Sequence, residues 1–154
     1  MRTDPYPLNK FTDTAVNKAY ETAVDAISKA TTADVIERVK DAADQQRDAA
    51  LSRGPLLSAA CTYLKFAQSG LTVGDNDPEI LYHCAANAFR DIGLLPRAAE
   101  CHFNAALVGY QRCASVGTGN PSFARRSAGR AKAMFSDLGD DDKSGDAHVL
   151  QQKI

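Results

Sequence analysis

A chain of 154 residues, 44% apolar and 24% charged, has one domain's worth of ordinary globular composition. Its formal net charge of -1 excludes any general attraction to nucleic acid or anionic lipid, so such binding would need a local patch. No stretch is long and apolar enough to span a bilayer, and the leading segment, with Asp4, Pro5, Pro7 and Asp13, lacks the apolar run of a secretory signal.

Residues 1–11 read as an extended arm. From about Thr12 to Ala30 the apolar positions Ala15, Val16, Ala19, Tyr20, Ala23, Val24 and Ile27 recur at helical spacing, which predicts an amino-terminal capping helix over 12–30. A second helix, from about Ala33 to Ser52, should end at Arg53-Gly54-Pro55. Leu56, Leu57, Ala60, Cys61, Leu64 and Ala67 then form a returning stripe to Gly70, so 33–70 is one helical hairpin.

The segment 77–116 carries the strongest signal. Asp77 is a capping residue type, Pro78 suits the first helical turn, and Glu79 complements the positive end of the helix dipole. Tyr82, Ala85, Ala86 and Phe89 make one apolar stripe, stopped by Gly93; Leu94, Leu95 and Pro96 turn the chain. Ala98, Ala99, Cys101, His102, Ala105, Ala106 and Tyr110 make the returning stripe, which runs on to Gly117. In the third hairpin, 121–154, Pro121 opens a helix through Ala124, Ala128, Ala131, Ala133, Met134, Phe135 and Leu138 to Gly139. A short last helix follows from about Ala147. No segment shows strand alternation, so the expected fold is all-α, with seven helices.

Bulky Tyr82, small Ala86, aromatic Phe89, Gly93 at the turn, apolar Leu95, and small Ala98 and Ala105 follow the order and spacing of a tetratricopeptide repeat, and the chain resembles that family over about a quarter of its length. The small residues let the helix backbones approach while Tyr82 and Phe89 fill the flanking holes. Gly54, Gly93 and Gly139 lie 39 and 46 residues apart, against ~34 in an ideal array. Insertions at Leu71 to Asn76 and Gly117 to Asn120 account for the difference. The resemblance implies a short stack of three hairpins behind the capping helix.

In such arrays the first helix of each hairpin lines a concave groove. His83, Asn87 and Arg90 fall on the face of their helix away from the Tyr82, Ala86, Phe89 stripe, and Arg126 and Arg130 share a face of the next unit, with Arg125 and Lys132 beside them. This is similar to the groove with which chaperone-binding members hold a terminal carboxylate through an Asn and several basic residues. His83, Asn87, Arg90, Arg126 and Arg130 are therefore the expected groove residues, for an acidic peptide segment or a partner helix. The bland alternative is that Arg125, Arg126 and Arg130 pair with the acidic stretch Asp140 to Asp146 or merely keep the surface soluble.

That acidic stretch has a reading of its own. Counted from Asp140 it resembles the calcium loop of an EF-hand, with Asp140, Asp142 and Ser144 as alternating oxygen ligands, Gly145 at the sharp turn and Asp146 offering a carbonyl. The closing acidic residue is replaced by neutral Gln151, so the expectation is at most a weak calcium-responsive module; a solvated acidic turn is the simpler alternative. His83-Cys84 and Cys101-His102 place four zinc-ligand types in one hairpin, but helix neighbours point about 100° apart and cannot converge on one ion. Cys61, Cys84, Cys101 and Cys113 read as small core residues in a reducing compartment, and no cofactor is expected.

His83, His102 and His148 have no partnered nucleophile, and Gly117-Thr118-Gly119-Asn120 lacks the lysine of a phosphate loop, so an enzyme is not expected. The basic strip Arg125 to Lys132 lacks interleaved aromatics, which argues against nucleic acid. Two readings stand in front: a protein-interaction adaptor, and a structural accessory subunit of a larger assembly, which exposed Phe11, Leu71 and Val73 would favour. The expected location is cytoplasmic; a mature mitochondrial chain would read the same.

Overall fold

The computed structural model describes residues 14–49, 53–73, 76–117 and 120–154. The arm 1–11, Phe11 and the turn at 50–52 lie outside the described residues. Among the described residues seven helices follow in chain order: α1 (Thr14–Ser28), α2 (Ala33–Ala49), α3 (Arg53–Gln68), α4 (Pro78–Asp91), α5 (Leu95–Val116), α6 (Pro121–Asp137) and α7 (Asp141–Lys153). Among the described residues the only extended pairing is one isolated bridge, Val73 to Asn76.

Each helix from α2 onward packs on the next, and α1 crosses to lie on α3. Tyr20 Oη on α1 donates to Gln68 Oε1 on α3 at 2.5 Å. Because α1, α2 and α4 all pack on α3, that helix is buried on nearly every side: Leu57, Ala60, Cys61, Tyr63, Leu64 and Phe66 are all covered. Burial pushes the Cys61 thiol up to about 12, leaving it inert packing, and all four cysteines are free.

Helix α5 is the seam between two cores. Ala98, Cys101, Ala105 and Val108 face the larger cluster built on α1 to α4, while Ala99, Phe103 and Ala106 face a smaller one shared with α6 and α7. Two stripes, each stepping by three and four residues, give one helix two buried faces. The α5–α6 contact is close because Gly109 has no side chain. A methyl group there would stand 2.9 Å from Ala124 Cβ, which has no torsion with which to yield. Gly109→Ala gains about 1 kcal/mol of helix propensity, but overpacking costs roughly 1–3 kcal/mol. We expect a net loss of about 1 kcal/mol for Ala and a larger one for Leu in urea unfolding. An alanine variant as stable as the parent would contradict this contact.

The turns repeat a single device. At the end of α4, Gly93 N donates to Arg90 O at 2.9 Å and Leu94 N to Phe89 O at 2.9 Å, with Gly93 at φ 82°. At the end of α6, Gly139 N donates to Ser136 O at 3.0 Å and Asp140 N to Phe135 O at 2.9 Å, with Gly139 at φ 77°. Both are Schellman closures, in which glycine takes the left-handed position at no steric cost.

Several expectations are corrected. Gly54 is not a turn glycine but lies in the first turn of α3. Asp77 occupies the N-cap position of α4 without capping through its side chain; it accepts from Thr72 Oγ1 at 3.2 Å and pairs with Arg112 at 3.3 Å. Arg112 also reaches Glu79 at 3.2 Å, binding the start of α4 to the far end of α5. Val73, read as an exposed docking residue, is 1% exposed, and Leu71 packs against the larger core. Ala133 and Leu138, read as core, are exposed.

The calcium loop is also overturned. Helix α7 begins at Asp141, not near Ala147, and Asp140 is its N-cap, with its carboxylate accepting from Lys143 N at 3.1 Å. Asp142, Ser144 and Asp146 are helical, and Ser144 Oγ donates to Lys132 O at 3.0 Å. Successive ligands two apart on a helix point about 200° from one another, so they cannot wrap a calcium ion as an EF-hand loop does. Among the described residues no three His, Cys, Asp or Glu side chains are grouped to hold a metal.

Candidate functional site

Helices α4 and α6 carry the expected residues, and His83 of α4 stands against Phe123 of α6. His83 and Asn87, one turn apart on α4, are joined at 3.2 Å from Asn87 Nδ2 to His83 Nε2. With the amide donating, the His83 proton is assigned to Nδ1, which is buried without a partner. His83 is a wedge rather than a freely exposed ligand. Its ring stands edge-on to Phe123 of α6 at 5.6 Å and lies 5.5 Å from His102 of α5.

Around this wedge the potential is positive. Burial first, then the guanidiniums of Arg130, Arg47, Arg90 and Arg126, hold the His83 imidazole below its ordinary range. Arg90, Arg126 and Arg130 are exposed, and among the described residues Arg90 pairs only with its exposed neighbour Asp91, at 3.3 Å. Among the described residues neither Arg126 nor Arg130 has a carboxylate within 4 Å; the acidic stretch after Gly139 does not neutralise them. Asp140 pairs instead with Lys143, at 3.7 Å, and Lys143 also stands 3.9 Å from Glu100. Arg125 points elsewhere and donates to the main-chain oxygen of Ile154 at 3.2 Å.

Next to the arginines is a cavity of about 490 Å³ between α4, α5 and α6. Arg90, Arg130 and His102 contribute polar wall, and Leu95, Met134 and Leu138 contribute apolar wall. Of the three large apolar residues that stand exposed among the described residues, Leu95 and Leu138 both border this cavity. Concave, mostly apolar sites with a few convergent polar groups are the usual form of a binding pocket.

The sequence reading omitted Arg47, Phe123, Asp137 and the cavity. Arg47 was findable: it stands in the last turn of α2 as Arg90 does in α4. No protein family, no curated protein and no solved structure matches this chain. Among the described residues no helix is long and apolar enough to cross a membrane.

Proposed function

We propose that this chain is a non-catalytic, tetratricopeptide-like protein-interaction module that holds an extended acidic segment of a partner protein along the face of α2, α4 and α6. The observation that carries this reading is that Arg90 of α4 and Arg130 of α6 line one cavity, with Arg126 and Arg130 unneutralised among the described residues. Uncompensated guanidiniums such as those of Arg126 and Arg130 favour carboxylates, because the planar fork matches two oxygens at once. The adaptor reading is preferred to a fixed accessory subunit because Val73, one of the residues that would have docked on an assembly, is engaged in the chain's own core. Four free cysteines support a reducing compartment such as the cytoplasm.

The test is affinity capture with the full chain as bait, beside Arg126→Glu/Arg130→Glu and, as control, Arg125→Glu. Both groove positions are exposed, so the double variant should keep its helicity. It should lose the partner by about 2 kcal/mol, roughly thirtyfold in Kd, and moderate salt should release the parent complex. Arg125→Glu should retain it. A folded double variant that captures the same partner equally well overturns the proposal.

A further inference from the structure

The cavity beside the arginines has polarity along its length. Arg130, Ala133, Met134 and Asp137 all line it and stand at i, i+3, i+4 and i+7 on α6, which is one continuous face of the helix. Read along that face, a cation is followed by an apolar middle and then an anion, with the charged ends about 10 Å apart. Across from this face Leu95 adds apolar wall, and Arg90 joins Arg130 in acting on the buried His102. Among the described residues neither Arg130 nor Asp137 has an opposite charge within 4 Å, although each could have been neutralised on the surface. His102, 3% exposed, lines the same cavity and keeps an unpartnered Nδ1. A uniformly acidic ligand fits the Arg130 end but sets a carboxylate against Asp137, a like-charge contact that selects against it.

We infer that this cavity is a bipolar anchor slot: it takes a bulky apolar side chain of the bound segment, with an acidic residue at Arg90 and Arg130 and a basic residue at Asp137. An extended chain turns every second side chain to the same face and covers about 13 Å in four residues, so the pattern selected is acid, any residue, apolar, any residue, base, with the two long charged side chains leaning inward to the charged ends. This rests on the groove reading above and sharpens it, from an acidic segment to one with a leucine-sized anchor and a basic residue at a fixed distance.

Fluorescence anisotropy with the full chain and short capped peptides in a Gly/Ser background tests it. The parent peptide carries Glu-Ser-Leu-Ser-Lys, and its companions carry Glu-Ser-Ala-Ser-Lys and Glu-Ser-Leu-Ser-Glu. Leu should be preferred to Ala by about tenfold, and Lys to the second Glu by about threefold to fivefold at low salt. Asp137→Lys should invert the Lys-over-Glu preference while keeping that for Leu. The variant will fold, because Asp137 is the exposed last residue of α6 and a cation suits a helix C-terminus. If the peptides bind through Arg126 and Arg130 without regard to Leu or Lys, the slot is overturned and the groove reading stands. If none of them binds at millimolar concentration, both fall.

Discussion

Phe89→Ala is expected to destabilise the chain by about 3–5 kcal/mol. Phe89 is fully buried in the larger core, among Tyr82, Ala85 and Ala86 of its own helix and the α3 and α5 residues of the same cluster. Its main chain has a second task, because its carbonyl accepts the Leu94 N–H that closes the turn into α5. Truncation keeps that bond but leaves a void under it, in an interior packed too tightly to collapse around the gap. A domain of this size has about 5–15 kcal/mol in all, so the loss is a large share of its stability. Urea unfolding followed by far-UV circular dichroism would measure it, with Phe89→Leu as the milder truncation that should cost less than alanine. A loss below about 1 kcal/mol for alanine would mean that α4 does not pack as described.

The hairpin around Phe89 was legible because local and tertiary signals coincide there. Gly93 takes a positive φ, Pro96 stands in the first turn of α5, and the small positions Ala86, Ala98 and Ala105 are all fully buried. The carboxyl-terminal hairpin was legible only in part. Asp, Ser and Gly are poor helix formers, so Asp140 to Asp146 read as loop. The same acids are well placed at a helix start, where Asp140 caps and Asp141 and Asp142 complement the dipole, and that effect prevailed. Val73 was misjudged because burial in a connection depends on chain reversal, here the Val73–Asn76 bridge, which periodicity does not record. A signal that was available went unused: Phe66, Phe89 and Phe135 each precede Gly70, Gly93 and Gly139 by four residues. In all three the Phe carbonyl accepts the N–H of the residue after the glycine.

The groove residues were legible singly, because helical spacing puts His83, Asn87 and Arg90 on one face and Arg126 with Arg130 on another. Their convergence was not, since it depends on how α2, α4 and α6 are set across α3 and α5. The same setting encloses His102, which periodicity placed correctly on the buried stripe of α5 but whose chemistry follows from its neighbours.

Stability is expected to fall as pH drops from about 6.5 toward 3, and His102→Phe is expected to remove much of that slope. Burial first, then His83, Arg130 and Arg90, push the His102 imidazole from 6.5 down to about 3. In the unfolded chain it takes up a proton near its ordinary value, whereas in the folded chain it stays neutral until far lower pH. Below 6.5 the unfolded state therefore binds the extra proton, and the His102 contribution, complete above 6.5, declines until the folded pKa is reached. By pH 5 the loss is about 2 kcal/mol. His83, lowered by burial and the arginines, acts in the same direction. Glu79 acts in the opposite one: burial raises its pKa despite Arg112, so its contribution is present at low pH and declines as pH rises through the raised value. The decisive quantity is thus the difference between parent and variant, from urea unfolding at pH 7.5 and pH 5. Phe keeps an aromatic ring against His83 and cannot titrate, so the parent should lose about 2 kcal/mol more than His102→Phe between those two pH values. Equal losses would show that the proton excluded by the fold is not the one on His102. A smaller loss for the variant would tie the acid sensitivity of the whole domain to the wall of its proposed binding cavity.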